Sequence, residues 1–408
     1  MQKELRPSTE PFIVDLDRDL LRGNLGAEVF WWNVSRDIRS LHLRKHRRYP
    51  NPKRLPYDPD VIAGCKAARA EGREVVLADA GMPELAGPVA SHLKAFDRTQ
   101  TGHAPASDVP RERPTMLLRE VLRQMRMHQW VKNILVFLPL MAAHAFAPDT
   151  LLSALLAFLA FGFAASAVYV LNDLADLEAD RKHRTKCNRP FASGRLPVRF
   201  GAPMLIALLV TGFGIAVLVT PALTIVLAGY FVLTTAYSMK LKGMLALDIV
   251  VLAMLYTVRI VAGAAATDIN PSVWLLSFSI FLFLSLAAVK RLAELVELDA
   301  RGAAKAAAGR AYTVEDRPII AMIATASGFI AVLVLALYLD TAEVRAQYAE
   351  PMALWGVGLV LLFWISRIVL LAHRGLVNED PVVFALTDRA SRYLVAICAV
   401  LFAVGVLA

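Results

Sequence analysis

The sequence predicts an all-α membrane protein of nine transmembrane helices, preceded by a small truncated α/β domain. Three observations predict it. Of 408 residues, 57% are hydrophobic, and the mean hydropathy is +0.51, far above a soluble chain of this length. Charge is uneven: roughly the first 130 residues are polar, and later charges gather in short loops. Between those loops lie nine apolar runs long enough, or nearly so, to cross a bilayer.

At the N-terminal end, FIVDLDRDLLR (Phe12 to Arg22) reads as an apolar strand followed by two aspartates, Asp15 and Asp17. GREVVLADAG (72–81) reads as a second strand ending in a turn. Residues 26–71 between them read as helix and loop, rich in Arg and Lys. No signal peptide is expected, because residues 1–30 lack an apolar stretch followed by a cleavage site. Segment 97–115 is rich in Pro, Ser, Thr and charge and reads as linker. The predicted organisation is a cytoplasmic domain at 1–103, a linker at 104–115 and a membrane domain at 116–408.

The nine runs cover 132–147, 150–171, 201–219, 222–238, 244–266, 272–290, 318–340, 351–373 and 390–408. Pro148, Pro221, Pro271 and Pro351 near their ends mark tight connections. The first run is short and starts beside Trp130, so it is expected to be tilted or partly interfacial. Orientation follows from charge. Arg181, Lys182, Arg184, Lys186, Arg189, Arg195 and Arg199 share one loop. Lys240 and Lys242, the stretch Lys290 to Arg317, and His373, Arg374, Arg389 and Arg392 fall on the same side. The opposite loops hold one Arg, Arg345. The basic side is expected to be cytoplasmic, with the N-terminal region there and the C-terminus across the membrane. A net charge of +9 is explained by this rule and by anionic substrates, without nucleic acid. Cys65, Cys187 and Cys398 have no metal or disulfide spacing.

Chemistry concentrates at NDLADLEADRKHRTKCNRPFASG, residues 172–194, directly after the second apolar run. Asp176 and Asp180 are one helical step of four apart, and Asn172 completes the row, with Asp173 beside it. The ten residues from Arg181 to Pro190 then carry five Lys/Arg and no acid. Carboxylates hold a hard cation through oxygen, and the following cations hold phosphates. This is what a Mg²⁺-diphosphate site needs. A solvated helix end in a topology loop would carry the same residue types, but unpaired carboxylates near a bilayer are unfavourable. Further polar groups lie on the same predicted side. Tyr237, Lys240 and Lys242 follow the fourth run, and Asp248 and Arg259 stand inside the fifth, about three turns apart. Lys290, Arg291 and Glu294 end the sixth. The two cations there also suit snorkelling at a membrane boundary. Lys132 suits either a topology charge or a phosphate ligand.

These residues resemble a known family. NDxxDxxxDR at Asn172 to Arg181, nine spans and a polar cytoplasmic face are similar to the UbiA superfamily of intramembrane prenyltransferases. RMHQWVKNILVFLPL (126–140) and VKRLAEL (289–295) further resemble the decaprenyl-phosphate phosphoribosyltransferase subgroup, over roughly 115–408. The resemblance implies a UbiA-like bundle and Mg²⁺, or Mn²⁺ in its place, on Asp173, Asp176, Asp180 and Asn172. The superfamily's second Asp-rich motif is replaced here by Lys290, Arg291 and Glu294. One metal site with several cations suits a lipid carrying a monophosphate. The implied reaction moves 5-phosphoribosyl from phosphoribosyl pyrophosphate to a polyprenyl phosphate, releasing diphosphate. Candidate phosphate ligands are Lys132, Arg181, Lys186, Arg189, Lys240, Lys242, Lys290 and Arg291, with Tyr237, Asp248, Arg259 and Glu294 around them. The partners are then those two substrates and the bilayer, and an oligomer stays open. Two other readings remain: prenyl transfer from a prenyl diphosphate to an aromatic or other acceptor, and a transporter or lipid-binding protein.

The N-terminal region resembles the first two motifs of haloacid-dehalogenase-like phosphatases, with Asp15 and Asp17 at the nucleophile and acid/base places. Arg18-Asp19 replaces the usual Gly-Thr, Ala78-Asp79-Ala80 lacks the second motif's hydroxyl, and the later motifs have no room. A truncated, inactive remnant is expected.

Overall fold

In the computed structural model, the described residues are 10–36, 49–79, 81–102, 117–300, 302, 310–377 and 380–407. The predicted linker at 104–115 lies outside them. In chain order the strands are β1 (Phe12–Asp15), β2 (Val75–Asp79) and β3 (Arg98–Thr101). The helices are α1 (Leu25–Arg36), α2 (Pro59–Ala70), α3 (Pro83–Leu93), α4 (Leu117–Met125), α5 (Leu138–Ala142), α6 (Pro148–Ala175) and α7 (Leu177–Lys182). They continue as α8 (Gly201–Val219), α9 (Pro221–Met239), α10 (Leu247–Thr267), α11 (Val273–Ala300) and α12 (Arg317–Leu339). The last four are α13 (Ala342–Gln347), α14 (Pro351–His373), α15 (Pro381–Thr387) and α16 (Arg389–Leu407). The chain forms two compact units.

The first unit comprises Met1–Gln129 and Phe163–Thr211. Its sheet is parallel throughout, in the order β1-β2-β3. Both predicted strands are present. Val75 to Asp79 are buried, as a central parallel strand requires. β3 corrects the linker reading of 97–115. Its sequence RTQT is polar and exposed at all four residues, so an edge strand formed there without any apolar pattern. Beneath the sheet, Val14, Leu16, Leu25, Cys65, Val75 and Leu85 make one core. A second core joins the end of α6 to the loop behind it through Leu174, Leu177, Phe191, Leu196 and Val198.

The second unit comprises Trp130–Gly162 and Gly212–Ala408. Its core gathers Ile249, Ile260, Phe283, Leu286, Leu292, Ala324 and Ile368 from α10, α11, α12 and α14. Close packing relies on small residues, as between membrane helices generally. A Cβ on Gly328 would lie 2.5 Å from Ile365 and 2.9 Å from Ser285. A Cβ on Gly263 would run into the Val136 carbonyl. Gly263→Ala is therefore expected to cost about 1–3 kcal/mol, read as a lower thermal midpoint in detergent.

Seven described helices are long and apolar enough to cross a membrane: α6, α8 to α12 and α14. Their outward faces stay apolar, with Leu218 86% exposed and Leu359 71%. That pattern is unfavourable in water and natural in lipid.

Two predicted boundaries shift. The run at 132–147 is not one spanning helix. Met127–Phe137 winds as a 3₁₀ helix, and only the five-residue α5 follows. Pro139 has no N–H to give the preceding turn and starts α5 instead. The sixth run, predicted to end at 290, continues as helix to Ala300. Leu292 and Leu295 keep a buried face, and no Gly or Pro intervenes before Gly302.

Candidate functional site

The acidic row lies where α6 ends. α6 stops at Ala175, Asp176 forms a break, and α7 carries Asp180. Hydrogen bonds of the helical kind bridge the break, from Asp176 N to Asn172 O and from Asp180 N to Asp176 O, both 2.8 Å. The predicted face is therefore kept across two helices.

Asp173 is 2% exposed and surrounded by donors. Gln124 Nε2 donates to it at 2.8 Å and Arg126 Nη2 at 2.7 and 2.8 Å. Arg189 Nη1 donates to Asp173 at 3.0 Å and to Asp180 at 2.6 Å. One guanidinium nitrogen thus stands between two buried carboxylates. Arg126 also lies over the Tyr169 ring at 5.0 Å. Burial pushes the Asp180 carboxyl up, and Asp173 adds to this, while Arg189 and Lys186 oppose it. Asp176 is exposed, and its side chain makes no hydrogen bond or ion pair among the described residues. Asn172 is half-buried, and Lys186 is exposed. Arg181 faces elsewhere, with Nε on the Ala192 carbonyl at 3.1 Å and Nη2 on Glu28 at 2.9 Å.

Among the described residues, no three His, Cys, Asp or Glu side chains form a ready metal cage. The donor set still fits Mg²⁺. That ion takes oxygen ligands only, and it is usually held by one or two carboxylates together with substrate phosphates and water. Asp173 and Asp180 are such a pair, with the exposed Asp176 on the same face.

The second unit holds two further polar clusters. In the first, Lys132 Nζ and Lys290 Nζ both reach Asp380 Oδ2, at 2.8 and 3.1 Å. Tyr256 donates its hydroxyl to the same carboxylate at 2.9 Å. Next to it, Arg259 is bound to Asn133 at 2.9 Å, to Tyr230 at 3.1 Å and to the Leu255 carbonyl. In the second cluster, Asp248 is fully buried and accepts from Tyr237 at 2.8 Å, Arg291 at 2.5 Å and Arg310 at 2.9 Å. Arg291 also binds Glu294. All three guanidinium nitrogens of Arg291 are engaged, with Asp248, Glu294 and Tyr237. Lys240 is exposed and Lys242 half-buried, with no side-chain partner among the described residues.

Sequence spacing missed Gln124, Arg126, Tyr256, Arg310 and Asp380. Asp380 had one signal: an acid followed by proline at a helix start. It caps α15, accepting from Val382 N at 3.1 Å.

Residues 133–384 match the model of the UbiA prenyltransferase family. The chain belongs to the UbiA prenyltransferase family. An uncharacterized protein, y4nM, of Sinorhizobium fredii is 33% identical over 96% of this chain and 90% of its own length. The decaprenyl-phosphate phosphoribosyltransferase of Mycobacterium tuberculosis is 37% identical over 213 residues, 51% of this chain and 70% of that enzyme. A UbiA homolog from Archaeoglobus fulgidus, solved with DMAPP and Mg²⁺, shares the fold with a TM-score of 0.52 at 17% identity, over 70% of this chain and 97% of that one. Family and relatives together make this UbiA protein a membrane transferase.

Proposed function

We propose that the protein transfers 5-phosphoribosyl from phosphoribosyl pyrophosphate to a polyprenyl phosphate, with Mg²⁺ and release of diphosphate. The observation that carries this is the split of charge. Carboxylates gather at 173–180, whereas Lys290 and Arg291, with the single acid Glu294, stand at the place of the superfamily's second acidic motif. The likeness to the M. tuberculosis enzyme supports it.

Asp173, Asp176 and Asp180 would hold the metal, with Asn172 as a neutral oxygen ligand. Bound there, Mg²⁺ neutralises charge on the departing diphosphate. Arg126 and Gln124 hold the Asp173 carboxylate in place by hydrogen bonds. Arg189 and Lys186 bring positive charge to the diphosphate, and Lys132, Lys290, Lys240 and Lys242 bring it to the other phosphates. The acceptor phosphate is already anionic at neutral pH, so no general base is needed. Positioning and neutralisation carry the rate. In-line attack inverts carbon 1 of the ribose, which product stereochemistry reads directly. We place nine crossings, the first at Met127–Ala142 and the last at α16, with the site and N-terminal domain in the cytoplasm of a bacterial-type inner membrane and the product feeding cell-envelope synthesis.

The test is purified protein with Mg²⁺, radiolabelled phosphoribosyl pyrophosphate and a polyprenyl phosphate. Labelled lipid is the expected result. A single rival has an observation in its favour, the fold shared with a DMAPP-bound homolog. Product formed only from a prenyl diphosphate and an aromatic acid would replace the first reading with prenyl transfer.

A further inference from the structure

Glu28 on α1 is 1% exposed, and its carboxylate faces Arg181, whose side chain is 9% exposed. Each charge is tolerable there because of the other. Arg181 directly follows Asp180. Its Nε holds the Ala192 carbonyl, and Ala192 belongs to the turn that starts at Arg189. Within that turn Ser193 N donates to Arg189 O at 2.9 Å, and Leu196 N donates to Pro190 O at 3.0 Å. Arg189 in turn holds both buried carboxylates. A continuous series of contacts runs from the N-terminal domain to the acidic row.

Packing follows the same path. Gly194 has φ +74°, and a Cβ there would lie 2.7 Å from Pro56 Cβ and 2.9 Å from Arg22 Cβ. Only glycine lets the loop backbone come this close to the domain. Trp31 packs on the core containing Phe191, Leu196 and Val198. The domain's own carboxylates close local turns. Asp15 accepts from Asp17 N and Arg18 N, and Asp79 accepts from Gly81 N and Met82 N. Burial raises the Asp17 carboxyl, and Leu25 N and Asn24 occupy its oxygens.

We infer that the phosphatase-like domain is a brace for the basic loop at 183–197, with Glu28 as a positioning residue for Arg189. This rests on the reading of 173–189 as the Mg²⁺-diphosphate site. A loop ordered before the ligand arrives loses less conformational entropy on binding. The domain then serves the transferase without chemistry of its own.

The test uses full-length protein in detergent, titrated calorimetrically with Mg²⁺ and inorganic diphosphate. Glu28→Ala is expected to weaken binding about tenfold, the size seen when groups supporting a metal ligand are removed. Amide exchange in 183–197 should rise, while exchange in 273–300 stays as in wild type. Glu28→Gln, which keeps an acceptor, should fall between. Gly194→Ala removes no charge and should loosen the same loop, so it reads the same quantities if Glu28→Ala does not fold. Unchanged affinity or unchanged loop exchange in these variants overturns the brace. Wild-type protein that binds no Mg²⁺-diphosphate overturns instead the site on which the brace rests.

Discussion

Alanine in place of Asp176 is expected to lower turnover on the order of 10³-fold, the loss of several kcal/mol of charge stabilisation. Stability should change by no more than about 0.5 kcal/mol, as for an exposed side chain without partners. The contrast with its neighbours makes this the sharpest test. Asp173 neutralises Arg126 and Arg189, and Asp180 shares Arg189. Removing either carboxylate leaves guanidinium groups uncompensated, so a loss of activity there mixes folding with chemistry. Asp176 is exposed and supports no other residue by a described side-chain bond. It stands three residues after Asp173 and four before Asp180, on one helical face. Activity at varied Mg²⁺ and a thermal melt decide the matter. Full activity in Asp176→Ala removes it from the metal site.

The acidic row was legible because its information is local. Steps of three and four within a helix put carboxylates on one face, and no tertiary contact is needed to see it. The apolar spans were legible for a similar reason: bilayer thickness sets their length, and eight of the nine predicted runs coincide with a helix of the described chain. The remaining run, at 132–147, is not a single α-helix, because hydropathy does not separate α from 3₁₀ winding. β3 was invisible for the opposite reason. Its four exposed polar residues join the sheet through backbone bonds, to which the side chains contribute no pattern. The partners within each cluster come from far along the chain. Arg126 is 47 residues from Asp173, and Lys132 is 248 residues from Asp380. Nothing in the spacing of one motif points to such a partner. Arg181, Arg259 and Arg291 show the same limit: their partners Glu28, Asn133 and Asp248 lie 153, 126 and 43 residues away.

Asp380→Asn is expected to destabilise the protein by about 3 kcal/mol at neutral pH, the low end for breaking a buried charge pair, because Lys290 is 31% exposed. Burial alone would push the Asp380 carboxyl up, but Lys290 and Lys132 outweigh it and hold the group well below the usual carboxylate range. A carboxyl depressed in the folded state stabilises fully above its unfolded value, about 3.9, and loses that contribution as pH falls towards the folded value. The gap between wild type and variant should therefore stay constant from pH 7 to about pH 4 and narrow below it. Equal melting temperatures at pH 7 would show that the cluster does not depend on this charge. Phosphate affinity is expected to move the other way. Two lysines that meet on one oxygen need an anion, which Asp380 supplies in the resting protein. An incoming phosphate must displace it or share the lysines with it. Without the carboxylate that competition is gone, so inorganic phosphate should raise the melting temperature of Asp380→Asn more than that of wild type. A stability loss with no such phosphate response would leave Lys132 and Lys290 as a structural pair and take them out of substrate binding.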